Sequence, residues 1–192
     1  MTRPFEARLP KAEPTRDAIA AAIPVLRTQR LELRAPRVED FAILEPIWRS
    51  ERGRFIGGPF TEEDGWLDFT QAVAGWVLRG VGYWTVTKAE DGAVLGLIGI
   101  GAETADPELE FGWLLTREAE GQGFATEAAR AVHDYAFGTL GLDTLVSFID
   151  KQNTRSIAVA ERLSARLDPA AVPAAFADQD FAYRHDPEAF DD

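Results

Sequence analysis

One segment near the middle of the chain restricts the possible folds more than any other. Residues 109–115 alternate large apolar side chains with other side chains, which is the pattern of a β-strand. The turn Gly121-Gln122-Gly123 follows, and small apolar residues at helical spacing begin at Ala125. A strand that leads through a glycine turn into a helix directs free N–H groups and the positive end of the helix dipole at one point. The segment therefore predicts an anion site suited to a pyrophosphate, although such glycines can also serve the turn alone.

The remaining patterns predict a mixed fold of strands and helices. Alternating or β-rich runs predict further strands, and apolar residues at a spacing near 3.6 predict helices. The Asp91-Gly92 step between two β-rich runs indicates a hairpin. Strands are predicted at residues 28–34, 83–88, 94–100, 109–115, 144–149 and 181–185, and helices at residues 38–50, 61–77, 125–136 and 153–163. The expected fold is α/β (α+β), with a mixed, mostly antiparallel sheet of six to seven strands flanked by about four helices.

The chain length favours one domain with one hydrophobic core, because it has 192 residues. Four prolines and scattered charges among the first 27 residues indicate an N-terminal extension at residues 1–27. We predict that the domain spans residues 28–186 and that residues 187–192 form a short acidic tail.

Composition narrows the function classes. The net charge of −12, from 20 Lys and Arg against 32 Asp and Glu, argues against nucleic-acid or membrane partners, which need a broad positive surface. A cationic or amine partner fits better. The absence of cysteine excludes disulfides, thiolate metal sites, iron–sulfur clusters and a cysteine nucleophile. Neither a secretory signal nor a run of about 18 apolar residues is present, so we expect a soluble cytoplasmic protein.

Three motifs taken together resemble those of a known family. They are Glu110-Phe111-Gly112-Trp113 at a strand end, Gly121-Gln122-Gly123-Phe124-Ala125-Thr126-Glu127-Ala128 at the glycine turn, and Asn153-x-x-Ser156 at the start of a helix. The chain resembles the GNAT superfamily of acyl-CoA-dependent N-acetyltransferases, with the ribosomal-protein-alanine acetyltransferases as its nearest branch. Residues 28–34 and 55–59 resemble that branch as well, so the resemblance covers residues 27–185. It implies a sheet splayed between its fourth and fifth strands, at residues 109–115 and 144–149, with acetyl-CoA bound in the splay.

The resemblance also implies which residues hold acetyl-CoA, the co-substrate, and it implies no metal. In the family, main-chain amides of the glycine turn hold the pyrophosphate, and the end of the preceding strand pairs with the pantetheine arm. The implied pyrophosphate residues are Gln122, Gly123, Phe124, Ala125 and Thr126, and the implied pantetheine residues are Trp113, Leu114 and Leu115. Asn153 is implied to contact the cofactor from the later helix.

Two positions depart from the family pattern. Glu120 stands where the family has Arg or Gln before the glycine turn. Its charge would repel phosphate, so we expect this side chain to face solvent. Ala160 stands where many members have a tyrosine that protonates the departing thiolate. Ser156, or a water molecule, is therefore the predicted proton donor.

Glu110 is the predicted catalytic base. Its strand places it two residues before Gly112, beside the strand end where the thioester would lie. A carboxylate there can accept a proton from an ammonium substrate directly or through water. The alternative is that Glu110 belongs to a solvated strand face. Glu103 is a weaker candidate for the base, and His133 and His185 are predicted to have structural or surface roles.

The predicted substrate-binding residues are Phe55, Gly57 and Trp84, because their segments form the acceptor side in this superfamily. The implied reaction is direct transfer of an acetyl group from acetyl-CoA to a primary amine, carried by a small molecule or a protein N-terminus. The protein is expected to be a monomer or a homodimer. An alternative of another class stays open, namely a catalytically silent acyl-CoA-binding or protein-interaction module. Ala160 favours it, as does Ser164-Ala165, where the family often has Gly-Phe.

Overall fold

A computed structural model of the protein describes residue 7 and residues 9–104 and 106–187. The predicted acidic tail lies outside these residues except for Pro187, and so do residues 1–6 and 8 of the predicted extension. The helices are α1 (Glu13–Ala22), α2 (Val38–Arg49), α3 (Glu62–Arg79), α4 (Phe124–Asp134) and α5 (Thr154–Arg162), with short helical turns at Glu51–Ile56, Arg117–Ala119, Tyr135–Thr139 and Pro169–Ala171. None of the helices in the described ranges is both long and apolar enough to cross a membrane.

The described part of the chain contains a single eight-stranded sheet. Its strands are β1 (Leu26–Arg27), β2 (Leu31–Arg34), β3 (Tyr83–Lys88), β4 (Val94–Gly101), β5 (Glu110–Leu115), β6 (Leu145–Asp150), β7 (Arg166–Leu167) and β8 (Asp180–His185). Their order is β1-β2-β3-β4-β5-β6-β8-β7, and neighbours are antiparallel except for the parallel pair β5 and β6. The predicted mixed, mostly antiparallel sheet is confirmed. The two-residue strands β1 and β7 raise the number of strands to eight, and the strands predicted to splay are therefore the fifth and sixth.

Caps in the sequence fix the helices that border the site. The α3 helix begins after Thr61, whose side-chain oxygen accepts a hydrogen bond from the Asp64 N–H at 3.1 Å. It ends at Gly80, whose φ of 75° lies in the left-handed region. The α5 helix begins after Asn153, whose side chain accepts from the Ser156 N–H at 3.2 Å. The caps at Thr61 and Gly80 fix the two ends of α3. The cap at Asn153 fixes the start of α5, shortly after the end of β6.

Packed side chains cover both faces of the sheet. On one face, α4 packs Val132 and its neighbours against Phe111 of β5. On the other face, α2 and α3 pack Phe41, Trp48 and Phe69 against Leu97 of β4. Burial of apolar area contributes roughly 25 cal/mol per Å², so these two layers supply the main driving force for folding. The central strands are therefore rigid supports for the residues that they carry.

The end of the predicted N-terminal extension packs onto the domain. Ile23 is buried in the core, and the Pro24 carbonyl accepts a hydrogen bond from the Trp84 indole Nε1 at 2.7 Å. Leu26 and Arg27 then pair with β2. The boundary predicted at residue 28 thus lies inside a packed segment.

The sheet opens between β5 and β6. Within the described residues, these strands have one register pair, Glu110 with Val146, and the Val146 N–H donates to the Leu109 carbonyl at 3.2 Å. By contrast, β5 is paired with β4 along the whole length of β5. The edge of β5 beyond Phe111 therefore faces a wedge-shaped opening instead of a neighbouring strand. We call this opening the wedge.

Candidate functional site

The glycine turn before α4 has the backbone geometry that an anion site requires. Gly121 and Gly123 have φ values of 70° and 80°, in the left-handed region that favours glycine. Gly123 caps α4, and its carbonyl accepts the Glu127 N–H at 3.0 Å. The earlier N–H groups of this first turn therefore lack acceptors within the helix. Together with the edge of β5, the turn lines a groove of about 1290 Å³, which we call the glycine-turn groove.

Contacts from the loop between β1 and β2 hold the glycine turn in place. The Glu127 carboxylate accepts hydrogen bonds from the Thr28 hydroxyl at 2.5 Å and from the Arg30 Nε at 2.6 Å. Arg30 also donates to the Gln122 carbonyl at 3.0 Å and lies over the Phe124 ring. Burial raises the pKa of Glu127, but these hydrogen bonds outweigh it and hold the pKa below its ordinary value. Local sequence patterns do not reveal this link, because Thr28 and Glu127 are 99 residues apart.

Glu120 lies between two arginines, which corrects the expectation that it faces solvent. Its carboxylate pairs with Arg52 and, at 2.5 Å, with Arg155, and its side chain is 26% exposed. Arg52 also donates to the Leu115 carbonyl at 2.8 Å. The two guanidinium groups offset the charge of a carboxylate that would otherwise stand unpaired at an anion site. All three side chains line the glycine-turn groove.

A second cavity, of about 330 Å³, lies between α3 and strands β3 to β6. Carboxyl groups dominate its charged lining, and Arg79 is the one guanidinium among the lining residues in the described ranges. The carboxyl groups belong to Asp68, Glu103, Asp106, Glu110 and Asp180. We call it the carboxylate cavity. The negative electrostatic potential in this cavity favours binding of a cation.

Glu110 is the most perturbed of these carboxyl groups. Burial raises its pKa, and the neighbouring charges of Asp106 and Glu103 add to this effect. Together they bring the pKa to about 8. A hydrogen bond from the Phe148 backbone N–H acts in the opposite direction. A carboxyl group with such a pKa exchanges protons near neutral pH, which is what a general base requires.

The two cavities meet at the wedge. Their shared lining residues are Phe55, Ile56, Trp113, Leu114, Asn153 and Ser156. At this junction the Trp113 indole Nε1 donates to the Ser156 hydroxyl oxygen at 3.2 Å. The hydroxyl proton of Ser156 thus stays available for donation. Groups bound in the two cavities would come together here.

Tyr83 is a site residue that the sequence analysis missed. It lines the carboxylate cavity, and its hydroxyl lies so close to Gly112 that a Cβ at that glycine would collide with it. Burial, with the charges of Glu110 and Asp68, raises the pKa of Tyr83 well above its ordinary value, so the phenol stays protonated. The signal in the sequence is a pair of glycines on neighbouring strands, because Gly99 lies opposite both Tyr83 and Gly112.

Most of the predicted site residues line these cavities. Glu110 lines the carboxylate cavity, and Phe55 and Ser156 line both. Those in the glycine-turn groove are Trp113, Leu114, Leu115, Gly123, Phe124, Ala125, Thr126 and Asn153. Gln122 and Gly57 line neither cavity. The Gln122 side chain instead donates to the Glu118 carbonyl at 2.6 Å.

Trp84 does not lie at the site, and its prediction as a substrate-binding residue is wrong. Its side chain is 0% exposed and packs edge-on against the rings of Trp76 and Tyr135. Its indole N–H is already used by the Pro24 carbonyl. Trp84 therefore belongs to the core.

The two histidines are buried and lie outside the lining of both cavities. His133 is 2% exposed with its Nε2 3.1 Å from the Asp186 carbonyl oxygen, and His185 is 0% exposed. Among the described residues, no group of three or more His, Asp and Glu side chains is arranged to hold a metal ion.

Comparisons with known sequences agree with this geometry. A family model for the acetyltransferase (GNAT) domain matches residues 30–166. The uncharacterized N-acetyltransferase p20 of Bacillus licheniformis is 30% identical over 143 residues, which is 72% of this chain and 80% of that protein.

Solved acetyltransferase structures share the fold of this chain. An acetyltransferase from Agrobacterium tumefaciens is 42% identical, with a TM-score of 0.80 over 85% of this chain and 94% of that one. RimL, a ribosomal α-N-protein acetyltransferase in complex with coenzyme A, shares the fold at 19% identity and a TM-score of 0.66, over 87% and 100% of the two chains. The glycine turn, the wedge and these matches together show that the chain belongs to the GNAT family of N-acetyltransferases.

Proposed function

We propose that the protein transfers an acetyl group from acetyl-CoA directly to a cationic primary amine, carried by a small molecule or a protein N-terminus. The observation that carries this proposal is the junction of the two cavities at the wedge. One cavity offers an anion site for a pyrophosphate, and the other is lined by carboxyl groups that attract an ammonium group. A direct transfer needs this meeting of donor and acceptor.

The residues around the glycine-turn groove fit acetyl-CoA. The turn from Gly123 to Thr126 would hold the pyrophosphate by its N–H groups, as the left-handed φ of Gly123 supports. The edge of β5 at Trp113 and Leu115, which lacks a neighbouring strand, would pair with the pantetheine arm. When bound, acetyl-CoA supplies an electrophilic thioester carbonyl at the wedge.

The side chains at the junction can move the protons that the transfer requires. Glu110 would accept a proton from the bound ammonium group. The neutral amine then forms the C–N bond as the C–S bond breaks, and the nitrogen loses its second proton to water. Ser156 or water donates a proton to the leaving thiolate, and water returns a proton to Ser156. Tyr83, which stays protonated, supplies a second hydroxyl donor beside Gly112.

The charge of the carboxylate cavity should be measurable in substrate binding. We expect Asp106→Asn to raise the KM for a cationic amine roughly fivefold at low salt, because one attractive charge of about 1 kcal/mol is lost. The amide keeps the oxygen that accepts the Glu103 N–H, so the loop keeps its hydrogen bond. Asp143→Asn is the matched control, since it removes the same charge at an exposed position outside the cavity lining. Equal KM values for the two variants would contradict the proposed attraction.

Removal of the Glu120 charge should strengthen CoA binding, whereas removal of the Asp106 charge should weaken amine binding. We expect Glu120→Gln to tighten CoA binding roughly threefold at low salt, because Arg52 and Arg155 then face the phosphates without a competing carboxylate. Isothermal titration at two salt concentrations measures this, and the gain should shrink as salt rises. Glu118→Gln, an exposed neighbour, should leave the affinity unchanged. Weaker binding by Glu120→Gln would show instead that the carboxylate is needed to orient the arginines.

A panel of amines tests the proposal as a whole. Titration with CoA and acetyl-CoA comes first, and thiol release is then measured with small diamines, monoamines and peptides that carry free N-termini. The alternative is a catalytically silent acyl-CoA-binding module, which is favoured by the fully buried Ala160 at the family's acid position. Absence of CoA binding would contradict both functions, whereas binding without thiol release would favour the silent module.

A further inference from the structure

The wedge begins where one backbone hydrogen bond between β5 and β6 is replaced by hydrogen bonds to side chains. In a parallel pair the hydrogen bonds are evenly spaced, with alternate residues facing the partner strand. The Val146 N–H donates to the Leu109 carbonyl, so the next rung of the ladder would join the Phe148 N–H to the Phe111 carbonyl. Both groups bond to side chains instead. The Phe111 carbonyl accepts from the Ser147 hydroxyl at 2.5 Å, and the Phe148 N–H donates to the Glu110 carboxyl group.

A buried histidine fixes the direction of the Ser147 hydroxyl. Ser147 is 2% exposed, and its oxygen lies 2.9 Å from the His185 Nε2. Because the hydroxyl proton points at the Phe111 carbonyl, the Ser147 oxygen is the acceptor of the Nε2–H, and the ring is a neutral tautomer without a proton on Nδ1. That Nδ1 has no hydrogen-bond partner among the residues that the structure describes. Burial, with the nearby His133, lowers the pKa of His185 to about 3, so the ring stays neutral near physiological pH.

We propose that Ser147, oriented by His185, is a positioning residue that holds the wedge open for the pantetheine arm. The hydroxyl occupies the Phe111 carbonyl, which is the next acceptor through which β5 and β6 would otherwise pair further. This arrangement keeps the β5 edge at Trp113 and Leu115 free, and it leaves the Phe148 N–H bonded to Glu110. The inference rests on the proposed function for the identity of the ligand, although the opening of the strands is a property of the free protein.

Removing the hydroxyl tests this role. In Ser147→Ala, the Phe111 carbonyl loses its hydroxyl donor. The Phe148 N–H can then exchange its bond to Glu110 for a bond to that carbonyl, and the ligand must reopen the strands. We expect CoA to bind about tenfold more weakly by titration, and amide hydrogen exchange at Phe148 to become slower in the protein without ligand. The exchange measurement decides the inference even if the wild-type protein fails to bind CoA, an outcome that would contradict only the proposed function.

A matched control separates positioning from simple stability. Thr87 is 3% exposed, and its hydroxyl donates to the Glu32 carbonyl at 2.9 Å across β2 and β3, far along the sheet order from the wedge. Thr87→Val should lower the melting temperature while CoA affinity and exchange at Phe148 stay unchanged. If Ser147→Ala behaves like Thr87→Val in these two measurements, the inference is overturned.

Variants of His185 carry the same test if Ser147→Ala does not fold. His185→Gln keeps an N–H that can donate to Ser147, and we expect near wild-type CoA affinity and exchange. His185→Leu removes the donor and releases the hydroxyl, so it should weaken CoA binding about threefold and slow exchange at Phe148. Identical affinity and exchange in the Gln and Leu variants would overturn the inference.

Discussion

Glu110→Gln should lower acetyl transfer by roughly 100-fold or more, with little change in CoA affinity. The amide keeps the size of the side chain and its hydrogen-bonding oxygen, but it cannot accept the substrate proton. Thiol release with any accepted amine measures the turnover, and titration measures the affinity. Glu103→Gln is the control, because that carboxyl group lines the same cavity and is the weaker candidate for the base. Loss of turnover in Glu103→Gln alone would assign the base to Glu103.

The pH dependence adds a second signature of Glu110. Because its pKa is about 8 in the folded protein, the rate should rise with pH until the carboxyl group is ionised, and the Gln variant should lack this limb. Stability should change in the opposite direction. The folded protein holds this proton more tightly than the unfolded chain does, so the free energy of unfolding falls as pH rises from the ordinary value of 4.5 through about 8. Glu110→Gln should remove that fall. An unchanged turnover and an unshifted profile would mean that the amine arrives neutral and water carries its proton away.

Gly123→Val should weaken CoA binding tenfold or more, equivalent to about 1.4 kcal/mol. A valine is strained at a φ of 80°, so the turn must rearrange and its N–H groups lose their common direction. A Cβ there would lie 3.5 Å from Arg30, so backbone conformation and not crowding dominates the effect. Titration with CoA on folded protein measures it.

Gly92→Val is the matched control for this prediction. Gly92 lies in the β3–β4 hairpin with a φ of 75°, and a Cβ there meets nothing within 4 Å. The same strain should therefore lower stability without changing the CoA affinity of the folded fraction. If both glycine variants bind CoA as the wild type does, the anion site is not at this turn.

Local patterns were enough to predict most of the fold. The glycine turn, the Asn153 cap and the strand at residues 109–115 are signals within a few neighbouring residues, and the structure has these elements at those places. Strands β1 and β7 were not predicted. Two-residue strands carry no readable period, since they exist through pairing with a longer strand.

Contacts between distant segments explain the errors at the site. Trp84 lies on a strand that is buried on both faces, so its type could not distinguish core from cavity. Glu120 was expected to face solvent because Arg52, which pairs with it, is 68 residues away. The bond between Ser147 and His185 spans 38 residues and depends on the register of β6 and β8. Such pairings arise from topology, which no local pattern contains.

The carboxylate cavity also has a consequence for how the product leaves. Acetylation turns a cationic amine into a neutral amide, so the ionised carboxyl groups of the cavity no longer attract the bound molecule through its charge. The product therefore loses its Coulombic attraction in the same step that forms it. Inhibition by the N-acetylated product should be weak compared with competition by an unreactive ammonium analogue, and turnover at high substrate concentration should not slow as product accumulates.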